Sequence, residues 1–145
     1  MTKLGQTDPK LELKSEARRA VLHTDPTEVP RLVLLAVDGP SPYLMGNLGL
    51  MGMLLVSTYF ITVTNRSIYV HRGPRLNPRP KKLVHVIPLA QTGSLVTRVK
   101  RGGSWNALHL QFPGDAKPTR LNISFHSRDE MERFLKRFPE RAVHA

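Results

Sequence analysis

The stretch YFITVTNRSIYV, Tyr59 to Val70, reads as two β-strands folded about Asn65-Arg66. Apolar residues recur at every second position on both sides of that pair, the period of a strand with one buried face. A two-residue loop pairs Val63 with Ile68 and Ile61 with Val70, so four apolar side chains share one face. Asn65 is expected in the left-handed conformation that such a tight turn favours.

The flanking sequence continues the pattern. Arg31–Val37 is a near-continuous apolar run of strand length, stopped by Asp38-Gly39-Pro40. Leu83–Pro88 is a further short strand. Leu95–Lys100 and Trp105–Phe112 predict a second hairpin about Gly102-Gly103. In that register Leu95, Thr97 and Val99 face Leu110, Leu108 and Asn106. Val96, Arg98 and Lys100 then lie opposite His109, Ala107 and Trp105. Thr119–Phe125 alternates, with Leu121, Ile123 and Phe125 inward.

Beyond residue 126 the period changes. Ser127 with Glu130 three residues later predicts a capping box, and Met131, Phe134, Leu135 and Phe138 form one helical stripe. Asp129 and Glu130 lead this helix, Lys136 and Arg137 end it, and Pro139 stops it. The sum is a mainly β fold: about seven antiparallel strands in a barrel over residues 31–138, closed by one C-terminal helix. Ile61, Val63, Ile68, Val70, Leu108, Leu110, Leu121, Ile123 and Phe125 are the expected core, with Phe134 and Leu135 packed on them. Residues 1–30 read as a flexible arm holding one short helix, and 139–145 as a tail.

Charge is distributed unevenly. The 145 residues carry a net charge of +11, yet residues 1–30 hold as many acids as bases. No acid lies between Asp38 and Asp115, whereas Arg66, Arg72, Arg75, Arg79, Lys81, Lys82, Arg98, Lys100 and Arg101 do. A field of one sign over half a chain attracts polyanions, either an anionic membrane or nucleic acid. The same gap denies the β core a carboxylate general base, and Ser41, Ser57, Ser94 and Ser104 have no nucleophile-elbow setting. The six His are scattered and Cys is absent, so neither metal nor cofactor is expected, and the chain is read as non-enzymatic.

Tyr43–Thr64 contains no charged residue, and its apolar core is long enough to cross a bilayer. Basic residues from Arg66 onward suit the positive-inside tendency. Against a span, Gly46, Asn47, Gly49 and Gly52 soften the first half, and the hairpin claims the second. The remaining reading is an apolar connection over 43–54 that dips into a membrane interface or packs on the barrel.

The stretch 59–70, the run KKLVHVIPL (81–89) and the closing helix resemble bacterial pleckstrin-homology-like (PH-like) domain proteins of actinobacterial type. In that family a T-(N/D)-R-R-(L/I) turn joins two apolar strands. Here the second Arg is replaced by Ser67, and residues 43–54 are more apolar than usual. The resemblance implies a seven-stranded barrel capped by a helix, and places the headgroup site of PH domains between the loops after strands one and three. Function does not follow from such a fold alone.

The expectation is a module for anionic phospholipid surfaces or a membrane-associated protein, cytoplasmic and peripheral at the inner face of the membrane. Arg75, Arg79, Lys81 and Lys82 would contact phosphates, and Leu44, Met45, Leu48, Leu50 and Met51 would enter the interface. One rival is a nucleic-acid face made of Arg98, Lys100, Arg101, Trp105 and Arg120, the ring stacking on a base. The other is a protein–protein assembly module that covers its apolar segment with a partner chain.

Overall fold

The computed structural model describes residues 9–42 and 48–138, the side chains of Leu50 and Met53 excepted. Seven antiparallel strands form one curled half-barrel: β1 Pro30–Asp38, β2 Ser57–Thr64, β3 Ser67–Pro74, β4 Lys82–Pro88, β5 Val96–Lys100, β6 Trp105–Leu110 and β7 Thr119–Ser124. Their order is β4-β3-β2-β1-β7-β6-β5, so β1 is central and β4 and β5 are the edges. Among the described residues the α-helices α1 Pro9–Thr24, α2 Leu50–Leu55 and α3 Arg128–Leu135 accompany them.

The central hairpin has the register its sequence dictates, with Ile61 opposite Val70 and Val63 opposite Ile68. Its turn is built differently from expectation. Among the described residues Asn77 is the only non-glycine with positive φ, so Asn65 is not left-handed. The Thr64 hydroxyl makes the turn instead, accepting from the amides of Arg66 (3.1 Å) and Ser67 (2.9 Å) and donating to the Ser67 carbonyl. The Asn65 side chain accepts from the Val29 amide and ties the turn to the segment before β1.

The second hairpin departs from its predicted register. Val96 pairs with Leu110, but Lys100 pairs with Ala107 and Val99 with Leu108. A bulge at Thr97, whose hydroxyl donates to the His109 carbonyl, shifts the strand by one residue. Lys100 therefore does not face Trp105, whose cross-strand partner is Ser124 on the β7 side of β6. Phe125 is also corrected: it is 55% exposed. Strand geometry ends at Ser124, whose hydroxyl accepts from the His126 amide, and residues 125–127 turn into a 3-10 helix that stacks Phe125 on His126. The other expected core residues are buried together, and the helical stripe Met131, Phe134, Leu135 and Phe138 packs on them. On the open side of the curl, Phe112 stacks between His85 of β4 and Tyr59 of β2.

The arm reading fails for Pro9–Thr24. Helix α1 lies across the outer face of β1 and β2, and Ala17 packs there with Val33 and Phe60, flanked by Leu13 and Leu35. The predicted capping box is absent too, because Ser127 makes no side-chain cap bond. Glu130 instead reaches α1, where Lys10 Nζ and Lys14 Nζ sit 2.5 and 3.4 Å from its Oε1. One buried carboxylate thus joins the two helices.

That pair and the buried His71 contribute to the pH dependence of stability. Burial pushes the Glu130 carboxyl up, but the hydrogen bond and charge of Lys10, with Lys14, bring it below the ordinary 4.5. His71, buried on the outer face of β3 with its Nδ1 unpartnered, is held below the ordinary 6.5 by burial alone. Both folded values are depressed, so both contributions are complete above the unfolded values and are lost as pH falls through the folded ones. Thermal melts are expected to fall in two stages on acidification, first below about pH 6.5 and again below about 4.5. Glu130→Gln should shrink the second stage, to which Asp25 and Glu132, also held low by their partners, contribute, and leave the first; an unchanged second stage would remove Glu130 from this account.

Candidate membrane-facing end and outer groove

Two connections meet at one end of the half-barrel. The pairing of Ser57 with Pro74 sets the β1–β2 segment beside the β3–β4 loop. Asp38 closes the first, accepting from the Ser57 amide at 2.7 Å, while Arg72 Nε donates to the Ser57 hydroxyl. Among the described residues of this connection, α2 and its lead-in turn their apolar side chains to solvent. Leu48 is 50% exposed, Met51 61%, Leu54 63% and Leu55 67%. Four large apolar side chains at such exposure within eight residues form a patch of the kind that marks an interaction surface.

The basic loop after β3 folds back over the sheet. A Cβ at Gly73 would stand 1.8 Å from the Arg79 carbonyl oxygen, so only glycine admits this close approach. Asn77 takes a left-handed conformation and the Lys81 amide returns to the Arg72 carbonyl. Gly73→Ala is expected to expel the loop at a cost of about 1–3 kcal/mol, read as a melting temperature several degrees lower. An unchanged melt would mean the loop is not anchored at Gly73.

The predicted surface bases divide into two groups. Arg79, Lys81 and Lys82 are exposed, Arg75 is half-buried, and none of the four is in an ion pair among the described residues. Of the predicted insertion residues, Leu48 and Met51 are exposed, whereas Leu44, Met45 and the Leu50 side chain lie outside the described residues. Leu54 and Leu55 were missed by sequence reasoning. Their signal was present, since the uncharged apolar run continues through them.

The alternative nucleic-acid face is only partly assembled. Lys100, Arg101, Trp105 and Arg120 line one small cavity of about 140 Å³, and Arg98 is not among its walls. Two of these cations are already engaged. Arg101 forms a bidentate pair with Glu132, both contacts at 2.8 Å, and Arg120 donates to Asn122 at 3.0 Å. Trp105 is half-buried and lies on the outer face.

A groove of about 590 Å³ runs under the start of α1, floored by Leu35, Val37 and Thr58 and walled by Leu13, Arg75 and Trp105. A second cavity of about 280 Å³ shares Val37, Arg75, Trp105 and Asn122 with it and extends to Gly49, Gly52 and Val56. Asn122 fixes this junction by donating to the carbonyls of Gly39 and Pro40, both at 3.1 Å. Sequence reasoning could not find the groove, because its wall is a helix expected to be an arm.

Among the described residues no helix is long and apolar enough to cross a membrane, and no group of three or more His, Asp or Glu side chains is arranged to hold a metal ion. Comparison with protein-family models, with curated proteins and with solved structures returns no match.

Proposed function

We propose that this chain is a non-enzymatic PH-like module that docks on anionic membrane surfaces through the end carrying α2 and the basic loop. The observation that carries the reading is the juxtaposition of exposed Leu48, Met51, Leu54 and Leu55 with Arg79, Lys81 and Lys82, which make no ion pair among the described residues. Apolar tips beside cations suit an interface where acyl chains lie under anionic headgroups. The strand order and the closing helix support the PH-like part of the reading.

The test is cosedimentation with phosphatidylglycerol-containing and with purely zwitterionic vesicles across a salt series. Binding to the anionic vesicles is expected, weakening with salt as the attraction is screened. No binding at low salt overturns the proposal. If the protein instead sediments as an oligomer without vesicles, the apolar patch belongs to an assembly interface.

A further inference from the structure

We infer that the outer groove beneath α1 binds a single-chain anionic amphiphile, a fatty acid or a lipid of similar build. Its acyl chain would run along Leu35, Val37 and Leu13, and its acidic group would meet Arg75. This deepens the membrane reading and rests on it for the source of the ligand.

Three observations lead to this ligand class. First, charge: no carboxylate lines the groove, its Lys10 is paired with Glu130, and the Asp38 of the second cavity lies 4.0 Å from Arg72, so the anion receptor is Arg75. Arg75 stands half-buried at its junction with the second cavity, which Trp105 also lines, and in no ion pair among the described residues. A partly desolvated guanidinium without a counter-ion is a receptor for an anion. Second, the floor: Leu35 and Val37 lie on β1 and Thr58 on β2, neighbours inside the sheet, whose two edges are β4 and β5. The groove is therefore floored by a sheet face, which presents side chains, and not by a free edge whose backbone groups a strand-like peptide could pair with. An acyl chain needs no hydrogen bonds, so such a floor suits it and not a peptide. Third, continuity: the second cavity extends the groove to Gly49, Gly52 and Val56 of the connection proposed to enter the membrane. A volume of about 590 Å³ lies within the common range for small-ligand sites, about 300–1,000 Å³.

Trp105 is the single tryptophan of the chain and stands at the junction, so its fluorescence reads occupancy directly. The experiment titrates the full chain with dibromostearic acid, below its aggregation concentration and without vesicles, because bromine quenches a nearby indole. Saturable quenching is expected, at least tenfold weaker in Arg75→Gln and largely restored in Arg75→Lys, with unchanged circular dichroism melts. No saturable quenching overturns the proposal. The methyl ester of the same acid should bind at least tenfold more weakly, and equal affinity would overturn anion recognition. Millimolar acetate or inorganic phosphate should not displace the acid; displacement would make this a free-anion site and overturn the acyl assignment. The double variant Leu54→Ser, Leu55→Ser keeps the groove intact and should retain quenching while losing the part of vesicle binding that survives high salt. A protein that sediments with vesicles yet shows no quenching overturns the groove alone. Quenching without sedimentation upholds the groove and overturns the membrane reading.

Discussion

Deleting residues 1–24 is expected to lower the melting temperature by about 10 °C or more, since each 1 kcal/mol shifts a domain of this size by about 2–4 °C. Helix α1 buries Ala17 and Val21 completely and covers Phe60 and Val33, which are themselves almost wholly buried. Returning a side chain the size of Phe60 to water costs about 1.5–3 kcal/mol, and Val33, Ala17 and Val21 add to it. The ion pairs from Lys10 and Lys14 to Glu130 are lost with the helix, leaving a buried carboxylate without its cations. A second variant tests the same contact from the sheet. Phe60→Ala should cost about 3–5 kcal/mol, the usual range for emptying a phenylalanine site. Circular dichroism melts of both proteins check this. If the deletion leaves the melt unchanged, α1 contributes nothing to the fold and the groove beneath it has no wall.

The contrast between α1 and the central hairpin shows what sequence periodicity carries. The hairpin was legible because its four inward residues are large, apolar and two apart, so only one register buries them all. The stripe that docks α1 is Leu13, Ala17 and Val21, too small and too diluted by charge to announce a buried face. The evidence lay elsewhere, in β2. Phe60 alternates with Ile61, so it must face away from the core. A phenylalanine flanked there by Thr58, Thr62 and Thr64 needs a cover, and all four are buried. The second hairpin failed for a different reason. Two glycines suggested a two-residue turn, but a bulge at Thr97 and a loop over residues 101–104 accommodate the same alternation in another register. At the candidate site, the bases and the apolar connection were legible as composition. Which of them remain unpaired depends on contacts distant in sequence. Glu132 claims Arg101, Asp38 lies 4.0 Å from Arg72, and Asp25 and Glu28 claim Arg66.

Replacing Arg79, Lys81 and Lys82 together by Gln is expected to weaken binding to anionic vesicles by roughly two orders of magnitude, since each base near such a surface is worth about 1 kcal/mol. The three side chains are exposed and make no ion pair among the described residues, so the fold loses no packing and the melt should not move. Arg75 is deliberately left in place, because it faces the groove and would confound the two sites. Apolar insertion predicts a different signature. Leu54→Ser with Leu55→Ser should remove the part of binding that survives high salt, while leaving its salt slope nearly intact. These leucines are 63% and 67% exposed, so their replacement relieves an apolar surface and opens no cavity. Cosedimentation of the wild type and both variants at low and high salt separates the two contributions. If the leucine variant binds as the wild type does at high salt, α2 does not enter the bilayer. The contact would then be purely electrostatic, and the exposed face of α2 would need another occupant.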